Sequence, residues 1–461
     1  MQEEVRDFLL DSGKTKSFNT LRHYFSYLKQ IAQFLHIKKN QEMQSLLSQP
    51  PEKWISSLKG WMLEEGKPRT KERKSAYGNT LILDADLIRF FKQILQYLQP
   101  EDTRDEIEKD VWELDKLEMA VRENPIYHVK TISFEKIVQP DIRSEIKKAV
   151  YQHLSCEAIG TIQRELTSFR DLSGFLKDKF PEVESCQDID RNVWEAYLIH
   201  KMTDGKPGKG NSDTILKLRA VLETVGKIYS YDHFETLFLN TDIPPEWQPE
   251  FKVYSDREME TLNAHIIQMD EQVARCMIIH QMLGTRISDT LTLRTDCLYM
   301  TGDQYMIQIH QVKTSTYTKP ISYELAMLLE KSIEYTKNKY GKTKYIFVDE
   351  KDTSRPLRYN TLKSKVLGMI RKEELRDDDG KLFGFGTHMF RHYYGVQLTE
   401  LHLDDWTIAR LLGHKRLKSV QHYRKMSNQL IADESRKIRE KLTEIIFDNL
   451  DGWGEEYEQI R

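Results

Sequence analysis

The chain has 461 residues and a formal net charge of -3, with 31% charged and 39% apolar residues. This length suggests about three domains, and the composition is typical of a folded, helix-rich protein rather than a disordered one. No stretch approaches the roughly 18 apolar residues of a membrane-spanning helix, and the N-terminus is acidic rather than signal-like. We therefore expect a cytoplasmic protein that makes no contact with a membrane.

The net charge conceals an uneven distribution. Residues 251–430 carry about +6, residues 431–461 about -4 and residues 1–250 about -5. A basic face within a balanced chain can bind phosphates, because binding depends on the local field. The cysteines (Cys156, Cys186, Cys276 and Cys297) lack C-x-x-C spacing, which predicts reduced thiols and neither a disulfide framework nor a zinc site.

The first half of the chain contains a candidate duplication. Residues 20–35 and 161–176 share an apolar stripe with the spacing of an amphipathic helix. At a nearly constant offset, Trp54 matches Trp194, Met62 matches Met202, and Gly66-Lys67-Pro68 matches Gly205-Lys206-Pro207. A shared stripe alone is weak evidence, but matches of Trp, Met and Gly-Lys-Pro in one register predict two related helical units.

Each unit continues into a basic, glycine-containing loop, after which we expect helices beginning near Thr80 and Asp213. Such loops place cations and backbone N–H groups where a phosphate backbone can reach them, although a solvated surface loop would have the same composition. The candidate DNA-binding residues in these loops are Lys67, Arg69, Lys71, Arg73, Lys74, Lys206 and Lys209.

Sequence breaks define the expected domains. Residues 116–131 are predicted to be a linker, and three prolines within residues 242–251 prevent a continuous helix. After this break, residues 304–322 alternate as in a β-hairpin, and helical patterns then dominate. We expect a helical domain over residues 1–115, a second over 132–241, a mostly helical domain with a small antiparallel sheet over 251–430, and a tail helix over 431–461.

Four segments of the third domain carry chemically capable residues in a fixed order. MLGTRISDTLTL (282–293) contains Arg286 and Asp289, QVKTSTYTKP (311–320) contains Lys313, THMFRHYYG (387–395) contains His388 and Arg391, and the segment 404–426 contains Leu-Gly-His414 followed by Tyr423. Each motif alone is common, and each residue alone is more often structural. Their co-occurrence in this order indicates a single site.

This arrangement resembles the tyrosine recombinases or phage integrases, a family that includes transposases, over residues 132–430. The resemblance implies two helical, SAM-like DNA-binding units followed by a mixed α/β, mostly helical catalytic domain, with residues 132–241 as the core-binding unit. It also implies Tyr423 as nucleophile, together with Arg286, Lys313, His388, Arg391 and His414. Lys319 is an alternative to Lys313, Asp289 supports the site, and Lys415 and Arg416 are further candidates for DNA binding.

The chemistry of these residues agrees with phosphoryl transfer. Two arginines can bind the non-bridging phosphate oxygens, while a histidine assists removal of the tyrosine proton. His388 is the expected proton acceptor, His414 the expected phosphate ligand, and Lys313 the expected donor of a proton to the leaving 5′-hydroxyl. A phosphotyrosine link conserves bond energy, so we expect no cofactor, metal or ATP. A metal site built from His388, His392, His414 and His422 is the alternative use of these histidines.

The expected partner is double-stranded DNA carrying specific recombination sites. We expect a monomer in solution that forms a homotetramer on paired sites, with the tail helix docking on a neighbouring subunit. An accessory DNA-bending protein or a partner recombinase is also compatible with the sequence. The alternatives are a type IB topoisomerase, a catalytically silent DNA-binding accessory protein, and a helical scaffold that does not bind DNA.

Overall fold

The computed structural model describes residues 2–37, 43–74, 80–203, 211–244, 253–313, 315–426 and residue 436. Two compact units divide the chain, Met1–Arg104 and Asp105–Arg461. The mainly helical fold with small antiparallel sheets, expected from the sequence, is confirmed. Lys206 and Lys209, and the predicted tail helix apart from residue 436, lie outside the described residues.

The first unit is a group of helices with one β-ribbon. Its elements are α1 (Gln2–Thr15), α2 (Phe18–Leu35), a 3-10 turn (Leu46–Ser48), α3 (Pro51–Glu64), β1 (Thr70–Lys74), β2 (Thr80–Asp84) and α4 (Asp86–Leu98). The aromatic residues Phe34, Trp54 and Phe91 fill its core, with the rings of Phe34 and Trp54 packed edge to face at 6.2 Å between centroids.

The expectation of a loop followed by a helix near Thr80 is wrong. Residues 70–74 and 80–84 pair as antiparallel strands, with Lys71 opposite Leu83 and Arg73 opposite Leu81. The segment Thr-Leu-Ile-Leu favours a strand because β-branched and apolar residues fit a pleated surface. The helix begins six residues later than expected, at Asp86.

The second unit begins at Asp105, before the expected linker over residues 116–131. The elements of its N-terminal half are β3 (Val111–Glu113), a 3-10 turn (Leu114–Lys116), β4 (Thr131–Ser133), α5 (Pro140–Leu154), α6 (Ile159–Lys179), a 3-10 turn (Cys186–Asp188), α7 (Arg191–Thr203), α8 (Asn211–Tyr229), α9 (Phe234–Leu237) and a 3-10 turn (Asn240–Asp242). The first unit ends at Arg104 rather than at the expected residue 115. Trp112 explains the difference, because it is fully buried against Phe134 in the core of the second unit.

The remainder of the second unit contains the candidate catalytic segments. Its helices are α10 (Asp256–Ile266), α11 (Glu271–Leu283), α12 (Ile287–Leu291), α13 (Tyr323–Tyr340), α14 (Tyr359–Lys372), α15 (Thr387–Glu400), α16 (Asp405–Leu412) and α17 (Gln421–Met426), with a 3-10 turn at Leu417–Ser419. Its strands are β5 (Leu298–Thr301), β6 (Gln304–His310), β7 (Thr316–Pro320), β8 (Val348–Asp349) and β9 (Asp352–Pro356). Strands β5, β6 and β7 form the three-stranded antiparallel sheet whose hairpin the sequence predicts.

The four cysteines are free, as expected; Cys156 is exposed and the other three are buried. None of the described helices is both long enough and apolar enough to cross a membrane.

Candidate active site

A sharp turn between two helices presents Arg286. Helix α11 ends at Gly284, whose φ of 60° is left-handed, and Arg286 is the residue that precedes α12. A Cβ atom at Gly284 would lie 2.3 Å from the ring of Tyr394, so this close approach requires glycine. The Nη1 atom of Arg286 is buried and has no hydrogen-bond partner among the described residues.

Arg391 on α15 occupies the centre of the site and is 1% exposed. Its Nη1 donates to the carbonyl of Gly284 at 3.0 Å, and its Nη2 donates to the carbonyl of Leu412 at 2.8 Å. Its Nε is buried without a partner in the described part of the chain. Burial lowers the pKa of this guanidinium, and Arg286 opposes its charge as well. Two buried donors without a hydrogen bond among the described residues, one on each arginine, suit a site for an anion, although Nη1 of Arg286 also lies 3.8 Å from Oδ2 of Asp289.

The segment after α16 places His414 beside Tyr423. Asp404 caps α16 by accepting a hydrogen bond from the Thr407 backbone N–H at 3.0 Å, and the helix ends at Gly413 with a φ of 64°. The Nε2 atom of His414 lies 3.1 Å from Nη2 of Arg391 and 3.2 Å from the hydroxyl of Tyr423. Because a guanidinium only donates, this nitrogen is an unprotonated acceptor.

Two further glycines allow these segments to approach one another. A Cβ atom at Gly395 would lie 2.8 Å from the ring of Tyr423, which is 3% exposed. A Cβ atom at Gly413 would lie 2.6 Å from the side chains of Gln311 and Tyr317 on the β6–β7 hairpin. The tyrosine therefore packs directly on the backbone of α15.

Asp289 joins the Arg286 turn to the β6–β7 hairpin. It is 1% exposed and accepts a hydrogen bond from the backbone N–H of Val312 at 3.1 Å. Its burial raises its pKa, although the Val312 N–H and Arg286 oppose that shift. The adjacent Lys313 is exposed at the hairpin turn, and its charge contributes to the electrostatic field at His388.

The structure separates the two candidate lysines. Lys319 on β7 is 2% exposed, donates a hydrogen bond to the Leu283 carbonyl at 2.5 Å and lies over the ring of Tyr394 at 5.1 Å. Burial and the charge of Arg391 lower its pKa to about 7. Lys319 therefore stabilises the turn that precedes Arg286 through its hydrogen bond to Leu283. Lys313, in contrast, is accessible at the hairpin turn.

His388 lies on the same helix as Arg391, and its ring packs edge to face on His392 at 4.4 Å between centroids. Although part of the ring reaches solvent, it sits in a crowded cleft. Removal from bulk water and the charges of Arg391, Arg286 and Lys313 lower its pKa to about 4. The same causes, burial first and then the two arginines, lower the pKa of His414 to about 3. Both rings are therefore neutral near pH ~7.

Sequence reasoning did not identify His280, which is fully buried on α11. Burial lowers its pKa to about 4, so the ring is neutral. Its Nδ1 lies 2.8 Å from the hydroxyl of Thr290 on α12, and its Nε2 lies 3.0 Å from the carbonyl of Thr387 at the start of α15. His280 thus connects the helix after Arg286 to the helix that carries Arg391. The available signal was a histidine directly after the apolar run Cys276–Ile279.

The proposed DNA-binding residues fall in separate places. Lys415 and Arg416 are exposed immediately after His414, beside the site. The five basic residues from Lys67 to Lys74 lie in the first unit. Within the described ranges, no group of three His, Cys, Asp or Glu side chains is arranged to hold a metal ion.

Comparison with known proteins gives a consistent assignment. Residues 252–429 match the model of the phage integrase family. Transposase B of transposon Tn554 from Staphylococcus aureus is 25% identical over 344 residues, which cover 73% of this chain and 54% of that protein. Transposase B of PsiTn554 from the same species is 24% identical over the same length. The chain thus spans about half the length of these curated relatives.

Solved structures that match part of the chain include site-specific recombinases. The XerH recombinase in its post-cleavage complex with palindromic difH is 17% identical, with a TM-score of 0.49; the match covers 66% of this chain and 90% of that one. The Tn1549 transposon integrase in complex with circular intermediate DNA is 13% identical, with a TM-score of 0.44; the match covers 60% and 93%.

Residues 252–429 therefore form a domain of the phage integrase family.

The packing of Tyr423 on Gly395 leads to a first prediction. The Gly395→Ala variant should lower the rate of covalent adduct formation with DNA by about 100-fold, because a displacement of ~1 Å disrupts in-line attack. DNA affinity should change little, since the arginines stay in place. Gly368→Ala on α14 is the matched control, because a Cβ there meets nothing within 4 Å. Equal adduct rates in the two variants would contradict the packing argument.

The low histidine pKa values lead to a second prediction, for the DNA-free protein. NMR signals of His388 and His414 should stay those of neutral rings as the pH falls through the ordinary histidine pKa of 6.5. His388 should titrate only near pH ~4 and His414 only near pH ~3, because burial and the nearby arginines disfavour another positive charge. Between these values the unfolded chain binds more protons, so stability should decrease as the pH falls. Titration of either ring near pH ~6.5 would show that the cationic cleft does not form.

Proposed function

We propose that this chain is a site-specific DNA recombinase, of the integrase or transposase type, that uses Tyr423 to cleave and rejoin DNA strands. The observation that carries the proposal is the contact of the Tyr423 hydroxyl with His414, beside the buried guanidinium of Arg391. The Tyr423 hydroxyl lies 3.2 Å from His414, which itself contacts Arg391. All these groups come from one chain, so the nucleophile acts within its own subunit.

The proposed reaction exchanges one phosphodiester bond for another. The Tyr423 oxygen attacks the scissile phosphorus, the bond from phosphorus to the 5′-oxygen breaks, and a 3′-phosphotyrosine forms. The buried Nη1 of Arg286 and Nε of Arg391 bind the non-bridging oxygens, where negative charge increases in the transition state. Attack by the free 5′-hydroxyl reverses the steps, so rejoining needs neither ATP nor a metal ion.

The proton movements follow from the contacts. A tyrosine hydroxyl has a pKa near ~10, so its attack needs an acceptor. His414, rather than the expected His388, makes the hydrogen bond to that hydroxyl, and its Nε2 is unprotonated. We therefore assign proton removal to His414, with His388 as a ligand of the phosphate. Lys313, exposed at the hairpin turn, donates a proton to the leaving 5′-oxygen.

The partner is double-stranded DNA with specific sites, and the reaction takes place in the cytoplasm. Recombination joins two duplexes through four cleavages, so the chain is a monomer in solution and a homotetramer on paired sites. Phosphate contacts from Lys415 and Arg416 make binding decrease steeply with salt. Sedimentation of the protein with and without paired duplexes tests the assembly. A protein that stays monomeric in the presence of paired duplexes would exclude the tetramer.

Covalent trapping on nicked duplexes tests the nucleophile. Wild-type protein should form an adduct, visible on a denaturing gel, with duplexes made from the ends of the element that encodes it. The Tyr423→Phe variant should bind the same duplexes and form none, and Tyr393→Phe is the control because its hydroxyl bonds to Asp256 at 2.6 Å, away from the site. An adduct that persists in Tyr423→Phe would refute the assignment. Binding without an adduct in the wild type would indicate a catalytically silent accessory protein, and relaxation of any plasmid would indicate a topoisomerase.

A sulfur-substituted substrate tests the roles of the two lysines. Lys313→Ala should slow cleavage by about 100- to 10 000-fold, as loss of a general acid does. A 5′-bridging phosphorothiolate should restore the rate, because a thiolate leaves without a proton. Lys319→Met should also be slow but should not be restored, since Lys319 holds the Leu283 carbonyl. If the phosphorothiolate restored the cleavage rate of Lys319→Met instead, Lys319 rather than Lys313 would be the proton donor.

A further inference from the structure

The first unit repeats the element order of the core-binding unit. In each, two helices (α1 and α2; α5 and α6) precede a 3-10 turn, a third helix (α3; α7) and a fourth (α4; α8). Trp54 near the start of α3 and Trp194 near the start of α7 are both fully buried. The offset of 140 residues between them equals the offset between the two 3-10 turns, which begin at residues 46 and 186.

A polar contact repeats in the same register, and amphipathic patterning alone does not explain it. In the first unit, Glu4 accepts hydrogen bonds from the Ser45 hydroxyl and, at 3.1 Å, from the backbone N–H of Leu46. In the core-binding unit, Glu145 accepts hydrogen bonds from the Ser185 hydroxyl at 2.8 Å and from the backbone N–H of Cys186 at 2.7 Å. In both units a carboxylate on the first helix thus caps the 3-10 turn. The first unit and the core-binding unit are therefore copies of one fold.

The copies differ after the third helix, where the first unit carries the β1–β2 ribbon. Residues 66–74 contain five basic residues and one acidic residue. Residues 1–104 contain 17 basic and 13 acidic residues, a net charge of about +4 within a chain whose total is -3. The ribbon is therefore the most basic part of a basic unit.

Ion pairs hold the base of this ribbon and leave its outer part exposed. Lys71 pairs with Asp86 at 2.7 Å, and Lys59 and Lys92 pair with Asp84 at 3.1 and 2.7 Å. These contacts lower the pKa of both carboxyls, chiefly through the hydrogen bonds from Lys92 and Lys71. The acidic residues at the base are thus paired, whereas Arg73 and Lys74 have no ion-pair partner among the described residues.

Both faces of the ribbon are open. All five residues of β1 are exposed, and on β2 Leu81 is 46% and Ile82 70% exposed. Alternation places Lys71, Arg73 and Leu81 on one face, and Lys74 and Ile82 on the other. A lone two-stranded ribbon is marginally stable in water, so one with apolar and basic side chains exposed on both faces has the character of a binding element.

We propose that the first unit is a second duplex-DNA-binding domain whose β1–β2 ribbon inserts into a DNA groove beside the segment held by the catalytic unit. The inference rests on the proposed function, because it places this duplex next to a recombination site. A major groove about 12 Å wide admits a two-stranded ribbon. Arg73 and Lys74 contact phosphates and base edges there, while Leu81 and Ile82 contact apolar groups such as thymine methyls.

Paired duplexes and paired variants of the full chain test this role. One duplex ends at the segment covered by the catalytic unit, and the other extends by two helical turns, about 21 bp. Wild-type protein should bind the longer duplex more tightly, with additional hydroxyl-radical protection in the extension. The double variant Arg73→Ala/Lys74→Ala should lose this preference, by about 10-fold or more at low salt, and should lower the salt slope by about two.

The double variant Arg22→Ala/Lys29→Ala removes the same charge from exposed positions on α2 and should keep the preference. Adduct formation on the short duplex should be equal in all three proteins, so failure of catalysis is distinguishable from failure of the ribbon. A wild-type protein without preference for the longer duplex, or a ribbon variant that keeps it, would overturn the proposal. Loss of self-association without a change in DNA footprint would assign the ribbon to a protein contact instead.

Discussion

The buried guanidinium of Arg391 is the constraint on which the site depends. A buried charge is costly unless it is paired or hydrogen-bonded, and here carbonyls rather than carboxylates stabilise it. The two acceptors, Gly284 and Leu412, lie at the C-terminal ends of α11 and α16, where helix dipoles favour a cation. One side chain thus holds together the turn before Arg286 and the turn before His414. Its Nε has no hydrogen-bond partner among the described residues.

This arrangement explains why a glycine occurs at each of three positions around the site. Gly284 and Gly413 end their helices in the left-handed conformation, which exposes the carbonyls to Arg391, and each lies against a tyrosine ring. Gly395 has no conformational requirement of that kind. It is needed because the ring of Tyr423 lies directly on it. Backbone geometry and close packing therefore act together to fix Tyr423 relative to the arginines.

Charge acts locally in this chain. A net charge of -3 gives no indication of DNA binding, yet the first unit is basic, and burial together with the charges of Arg391 and Arg286 keeps two histidines of the cleft neutral. Neutral histidines suit the proposed chemistry, because an imidazole can accept the tyrosine proton only when its nitrogen is free. In the proposed function the arginines thus have two effects: they attract the phosphate and, together with burial, they disfavour protonation of the histidines.

The sequence by itself determined the composition of the site and its order along the chain. Helical periodicity places His388 and Arg391 on one face, and glycine after an apolar helix predicts the turns at Gly284 and Gly413, because these are local properties of the backbone. It also indicated the duplication, through Trp and Gly-Lys-Pro matches in one register.

Only the tertiary structure decided between residues that local patterns cannot distinguish. Lys313 and Lys319 lie on one hairpin, and long-range packing buries only the second. Contact between α15 and the segment after α16 brings His414, rather than His388, to the Tyr423 hydroxyl. The unit boundary at Arg104 and the pairing of β1 with β2 likewise depend on contacts distant in sequence, such as that of Trp112 with Phe134. Such contacts arise from burial in three dimensions, for which a one-dimensional pattern carries no direct signal.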